Sequence, residues 1–194
     1  MAKTRKFSLK ADIRERINFL KNTASLHEVG AITMSSKYVV KQVLKHLPHK
    51  LDTVIEYGPG TGVMTEAILE RLSPQGKLLA IEVNSEFAKT LNRLKDHRLR
   101  VLHGKVQHLT SKFMSEFSHA DTIISSIPLT FLRHTDRHKI FSDAYNMLAP
   151  GGTLIIFHQY TPLMFYTLYK MFRSVRIEFE PRNIPPCFIM IAKK

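Results

Sequence analysis

Val54-Ile55-Glu56-Tyr57-Gly58-Pro59-Gly60-Thr61-Gly62 decides the reading of this 194-residue chain. An apolar run closes on an acid, breaks into three alternating glycines and restarts as a helical pattern near Thr61, which is the signature of a nucleotide-binding turn. Glycines at 58, 60 and 62 remove side chains where the backbone must bend sharply and lie against a ligand, and the helix that follows offers unpaired N–H groups. The next apolar run, Leu78-Leu79-Ala80-Ile81-Glu82, also ends on an acid, placed where a carboxylate can accept both hydroxyls of an adenosine ribose. A P-loop would need a Gly-Lys-Ser/Thr ending, which is missing, and a dinucleotide site would prefer GxGxxG over the GxGxG found here.

Glu56, Glu82 and the later Pro150-Gly151-Gly152 together outweigh the alternative of a bare tight turn, and the site is read as one for S-adenosylmethionine in a methyltransferase. Outward from the turn, strands are expected near 51 to 57, 77 to 83, 99 to 103, 120 to 126 and 152 to 160. Helices are expected near 62 to 72, 85 to 95, 106 to 117, 135 to 148 and 162 to 172. That alternation requires a parallel sheet covered on both faces. Val175 to Glu180 and Cys187 to Ala192, joined through Pro181-Arg182-Asn183-Ile184-Pro185-Pro186, suit an antiparallel pair at one edge. The fold class is therefore α/β and Rossmann-like. Ligands of such sheets bind at the carboxyl ends of the strands, which singles out Glu56 to Gly62, Glu82, Gly104 to Val106, Ser125 to Leu129 and His158 to Thr161.

The length suits one α/β domain over residues 51–194, preceded by a basic segment over 1–50. Of the formal net charge of +13, +8 lies in the first fifty residues, where eleven Lys/Arg face three acids. An acidic partner is expected at that end. Leu9, Ile13, Ile17 and Leu20 recur at helical spacing, with Lys10, Arg14, Arg16 and Lys21 on other faces, which predicts a basic amphipathic helix. A second N-terminal helix carries Val39, Val40, Val43, Leu44 and Leu47 on one stripe and Lys37, Lys41 and Lys45 opposite, and Pro48 stops it. No signal peptide or membrane span is expected, so the protein reads as soluble or peripheral. The lone Cys187 excludes an internal disulfide, fits a reducing compartment and reads as a core residue. His97, His103, His108, His119, His134 and His138 form no convincing metal set, since no HxxxH on a clear helix face comes with a third acidic ligand, and no metal is expected.

The chain resembles the bacterial phospholipid N-methyltransferases, small class I methyltransferases that carry phosphatidylethanolamine stepwise toward phosphatidylcholine. The matching segments are Phe19-Leu20-Lys21-Asn22, Gly30-Ala31-Ile32, Ser35-Ser36-Lys37, Glu56 to Gly62, Ser126-Ile127-Pro128-Leu129, Leu148 to Gly152 and Asn183-Ile184-Pro185-Pro186. The resemblance implies that Glu56, Gly58, Gly60, Gly62, Glu82, Lys105, Val106 and Ser126 hold the cofactor. It also implies that Lys10, Ile13, Arg14, Ile17 and Leu20 dock on anionic membrane, and that the enzyme is cytoplasmic, held at the inner membrane face. The family usually has Gly-Asp-Ala after the third strand; this chain has Gly104-Lys105-Val106, so the aspartate that approaches the adenine amino group is replaced by a lysine.

Methyl transfer from a sulfonium is an in-line displacement, for which the protein must position an uncharged amine and exclude water. His158 and Tyr160 are the candidates for taking the ammonium proton, with Ser126 beside them as a third catalytic candidate. Tyr160 also offers an aromatic face to methylated ammonium. Ser36, Lys37, Pro128 and Arg182 are the substrate candidates, Arg182 toward a lipid phosphate. Ser126-Ile127-Pro128-Leu129 stands where methyltransferases of planar nitrogens have Asn/Asp-Pro-Pro-Tyr; without the amide or acid and the aromatic, a flat base loses a hydrogen bond and a stacking partner. The competing reading is an RNA methyltransferase similar to the rRNA adenine dimethylases, supported by the same turn and the positive charge. A non-catalytic binding protein that keeps the fold is the third.

Overall fold

The computed structural model describes residues 35–109, 111–158 and 162–194. The expected amphipathic helix with Lys10, Ile13, Arg14, Ile17 and Leu20 lies outside them, as do Tyr160 and the side chain of His158.

A first helix, α1 (Lys37–Lys45), begins at Ser36, whose hydroxyl accepts the Val39 N–H at 3.3 Å. Strands and helices then alternate: β1 (Thr53–Tyr57), α2 (Val63–Leu69), β2 (Lys77–Glu82), α3 (Ser85–Asn92), β3 (Leu99–His103), α4 (Ser111–Glu116), β4 (Ala120–Ser125), α5 (His134–Met147), β5 (Leu148–His158) and α6 (Phe165–Met171). Two more strands, β6 (Ser174–Glu180) and β7 (Cys187–Lys193), close the chain. The sheet order is β3-β2-β1-β4-β5-β7-β6. β1 pairs in parallel with β2 and β4, and β7 runs antiparallel to both β5 and β6. The expected edge pair is thus present, but with the last strand inserted between β5 and β6.

Alternation along the strands divides the core. Ile55, Tyr57, Leu79, Ile81 and Ile123 face Ile140, Phe141 and Ala144 of α5 and Leu168 of α6. Val54, Leu78, Ile124 and Ile155 face Val39 and Val43 of α1 and Met64 and Ile68 of α2. Covering both faces removes each strand's apolar residues from water, with roughly 1.5–3 kcal/mol of favourable transfer for each fully buried aliphatic side chain.

Two segments depart from the sequence reading. The helix expected over 106–117 begins instead as a 3₁₀ turn, Val106–His108, and α4 starts only at Ser111. The Pro-Gly-Gly segment, expected ahead of a strand, lies within β5: Ala120 is opposite Leu148 but Thr122 is opposite Thr153, so the extra residues form a bulge. Such an insertion kinks one strand while its partner stays regular.

Candidate functional site

The glycine turn hangs between the ends of three neighbouring strands. The Gly58 N–H donates to the Ile81 carbonyl at 2.9 Å, and the Ser126 N–H donates to the Tyr57 carbonyl at 3.0 Å. Gly58 has φ +74°, and a Cβ there would sit 2.6 Å from Cγ2 of Ile127. Gly62 caps α2 at φ +88°, where a Cβ would meet Leu91 Cδ2 at 2.9 Å. Both positions need the left-handed backbone and the missing side chain together.

Each acid of the sequence pattern has a separate task. Glu82, 1% exposed, accepts the Gly60 N–H at 2.9 Å on one oxygen and the Asn84 N–H at 2.8 Å on the other. It therefore pins the middle of the turn to the start of α3, whose first N–H groups are capped by Asn84 Oδ1 at 2.9 and 3.2 Å. A carboxylate carries about four lone-pair sites, so two acceptor sites remain for a ribose diol. The arrangement fits S-adenosylmethionine: a cradle without side chains at its bends, beside a buried carboxylate with acceptor capacity left over.

Glu56, 2% exposed, accepts the Thr65 hydroxyl at 2.7 Å. Burial pushes its carboxyl up to about 7, the Thr65 hydrogen bond opposes the shift, and the nearby Glu82 charge adds to it. Thr65 lies one turn into α2, on the side facing β1. Neither Thr65 nor Asn84 was singled out in the sequence. Asn84 was legible as a cap residue two places before Glu86; Thr65 had no signal beyond its place after the turn.

After β3 the Gly104 N–H donates to the Glu82 carbonyl at 2.9 Å, which sets Lys105 and Val106 beside the same edge. Val106 is buried and Lys105 exposed. Asp136 of α5 is held below the ordinary carboxylate range first by Arg133, with smaller effects from His108 and Lys105, so the first turn of α5 borders this loop.

Ser126 braces the turn: its hydroxyl donates to the Gly58 carbonyl. Ile127 and Pro128 follow, partly buried, leading into a 3₁₀ turn over Leu129–Phe131. His158 ends β5 opposite Phe188.

The substrate candidates at the two chain ends meet. The Ser36 N–H donates to Asn183 Oδ1 at 3.3 Å, and Asn183 Nδ2 donates to the Pro185 carbonyl at 2.6 Å. Lys37 is exposed, with its ammonium 5.3 Å from the Tyr38 ring centre. The Arg182 guanidinium grips buried Glu180 through two bonds of 2.7 Å and lies 4.4 Å from the Tyr38 ring centre. Among the described residues no group of three or more His, Cys, Asp or Glu is placed to hold a metal ion, and no helix is long and apolar enough to cross a membrane. A cleft of about 180 Å³ opens between α5 and α6.

Comparison with known proteins agrees with this geometry. Residues 54–152 match the family described as a methyltransferase domain. The ornithine lipid N-methyltransferase of Singulisphaera acidiphila is 28% identical over 165 residues, 81% of this chain and 84% of that protein. Ribosomal RNA small subunit methyltransferase A of a Burkholderia species is 43% identical over 57 residues, 29% of this chain and 20% of that protein. Among solved structures, the N-methyltransferase NodS of Bradyrhizobium japonicum with S-adenosylhomocysteine superposes at TM-score 0.69 and 14% identity, covering 83% of this chain and 89% of its own. The Burkholderia thailandensis 1,6-didemethyltoxoflavin-N1-methyltransferase does so at 0.68 and 15%, covering 100% and 93%. At such identities the structural likeness is one of fold.

Proposed function

This chain belongs to the methyltransferase-domain family, with S-adenosylmethionine as its cofactor, and we propose that its acceptor is the amine of a membrane aminolipid, most specifically phosphatidylethanolamine methylated toward phosphatidylcholine. The observation that carries the reading lies at the end of β4. In Ser126-Ile127-Pro128-Leu129 the one polar side chain is already bonded to the Gly58 carbonyl, and no aromatic ring follows the proline. A planar base would find neither an amide partner nor a stacking face there. The similarity to the ornithine lipid enzyme along most of both chains supports a lipid amine as acceptor.

When bound, the cofactor supplies a methyl group already activated on a sulfonium. The chain's own task is placement: Glu82 and the glycine turn set the position of the ribose, while Ser126 holds the end of β4 against that turn. The amine must be uncharged when it attacks, and His158, which ends β5, and Tyr160 are the proposed acceptors of its proton. Residues 1–21 are proposed to bring the enzyme to anionic lipid on the inner membrane face, Lys10 and Arg14 by charge and Ile13, Ile17 and Leu20 by insertion.

The RNA reading draws on the 57-residue match and the charge of +13. One experiment separates the two: labelled S-adenosylmethionine is incubated with vesicles of phosphatidylethanolamine and phosphatidylglycerol plus ribosomal RNA, and the fractions are counted separately. Label is expected in lipid; label confined to RNA overturns the proposal. Ile13→Glu with Ile17→Glu should abolish vesicle flotation and removal of the cations alone should weaken it less, whereas RNA binding predicts the opposite ranking of the two changes.

A further inference from the structure

We propose that the cleft between α5 and α6 is an anion subsite that receives the acidic group of the substrate's headgroup, with Arg137 as its fixed positive charge. The inference rests on the aminolipid reading and adds to it the place where the headgroup is held.

α5 carries several cations, and their pairing sets Arg137 apart. Arg133 bonds Asp136 at 3.0 and 3.2 Å, and Lys139 bonds Asp143 at 2.5 Å. Both acids of the helix are thereby taken. Arg137 lines the cleft together with His134 and His138, and among the described residues no carboxylate pairs with it. Positions 134, 137 and 138 fall on one helix face, so the three nitrogen-bearing side chains converge. A guanidinium presents a fork of donors that matches a phosphate or carboxylate in two places at once.

The facing wall comes from Leu163, Met164 and Thr167, which offer apolar surface and one hydroxyl. The sequence has no Asp or Glu between Asp143 and Glu178, a stretch that includes this wall. An anion entering the cleft therefore meets no like charge from α6. Leu163 of the lining is 66% exposed, as is Tyr166, the neighbour of Thr167 in sequence, and Phe131, three residues before His134, is 71% exposed. Large apolar side chains left in water beside a cationic cleft match an amphiphile, whose headgroup enters while its hydrocarbon rests on the rim.

Position fits the chemistry. α5 follows β4 and α6 follows β5, so the cleft opens at the carboxyl edge of the sheet, the edge that carries the glycine turn. Asp136, one residue from Arg137, feels Lys105 and His108 from the loop beside Glu82. The ligand class is an anion on the same headgroup as a primary amine: the phosphate of phosphatidylethanolamine, or the carboxylate of an amino-acid lipid.

The test uses the full chain saturated with S-adenosylhomocysteine and measures binding of soluble dihexanoyl-phosphatidylethanolamine, inorganic phosphate and uncharged dihexanoylglycerol by calorimetry. Arg137→Gln should weaken the phospholipid roughly tenfold, the size expected for a lost charge-assisted pair, while dihexanoylglycerol is unaffected. Arg137→Lys should recover part of the loss, and Arg133→Gln should bind as the parent does. S-adenosylhomocysteine affinity of each variant reports an intact fold. Equal phospholipid binding by the parent and Arg137→Gln overturns the subsite. Inorganic phosphate binding as tightly as the phospholipid, with both lost in Arg137→Gln, overturns the headgroup assignment in favour of free phosphate. Lipid methylation with Arg137-independent binding refutes this inference alone; Arg137-dependent binding of a phospholipid that is never methylated refutes the proposed acceptor alone.

Discussion

Glu56→Gln tests the electrostatics of the site most directly. The carboxyl is buried, bonded to Thr65 and raised from 4.5 to about 7 by burial first and by Glu82 second. The native state therefore holds this proton more firmly than the unfolded chain does. For a carboxyl raised on folding, its full contribution to stability is present below pH 4.5 and is lost as the pH climbs through about 7. The interval corresponds to roughly 3 kcal/mol, since each unit is about 1.4 kcal/mol. Against a typical stability of about 5–15 kcal/mol that is a large fraction.

Glutamine keeps an oxygen for the Thr65 hydroxyl and removes the charge. The free energy of unfolding should then be measured by urea titration of both proteins from pH 5 to pH 8. The ten histidines give the parent its own pH dependence, so the readout is the difference between variant and parent. That difference should grow in favour of Glu56→Gln by roughly 2.5 kcal/mol across the range, whatever its value at pH 5, where the amide and the acid differ in hydrogen bonding. A difference that stays constant with pH would show that Glu56 does not titrate in this window, and the account of a buried, charge-stressed carboxyl beside the turn would be wrong.

Gly58→Ala should cost cofactor binding before it costs the fold. Its Cβ would lie 2.6 Å from Ile127 Cγ2 at φ +74°, so S-adenosylhomocysteine affinity should fall about fivefold or more, by roughly 1–3 kcal/mol of strain; unchanged affinity would remove the turn from the site. Lys105→Asp restores the acceptor that the resembled family places toward the adenine amino group and should tighten S-adenosylhomocysteine binding several-fold by calorimetry, as one added hydrogen bond to a charged group predicts. Weaker binding by that variant would assign adenine to another residue.

The parts of the molecule legible in the sequence are those governed by short-range rules. Alternating apolar runs ending at Tyr57, Glu82 and Ser125 marked the central parallel strands, and Gly58-Pro59-Gly60-Thr61-Gly62 marked the turn between β1 and α2. The insertion of β7 between β5 and β6 was not legible, because periodicity gives a strand's faces and not its neighbours. The bulge at Pro150-Gly151-Gly152 was hidden for a related reason: turn-forming residues look alike whether they precede a strand or interrupt one. At the site, Glu56 and Glu82 were found from position, but their roles needed coordinates. Glu82 holds the glycine turn besides offering the acceptor sites proposed for the ribose, and Glu56 owes its raised affinity for a proton to burial that no spacing encodes.

Two of the segments that carry the family resemblance, Ser35-Ser36-Lys37 and Asn183-Ile184-Pro185-Pro186, meet in the fold. Ser36 and Asn183 are 147 residues apart in sequence and joined by a 3.3 Å hydrogen bond. Ser36 donates its N–H to Asn183 there, and its hydroxyl accepts the Val39 N–H in the first turn of α1. Asn183 is held in turn by the Pro185 carbonyl, and Arg182 clamps Glu180 beneath the Tyr38 ring. Because His158 pairs with Phe188, the link between β6 and β7 lies beside the carboxyl end of β5, on the ligand-binding edge of the sheet. Fixing Ser36 to that link fixes the point from which the basic N-terminal segment departs. The segment proposed to find the membrane therefore joins the described residues at the edge where the proposal needs the amine to meet the methyl donor. Under the aminolipid proposal Ser36 and Arg182 act as positioning residues, and Arg137, across the same edge, is the cation proposed to meet the acidic headgroup.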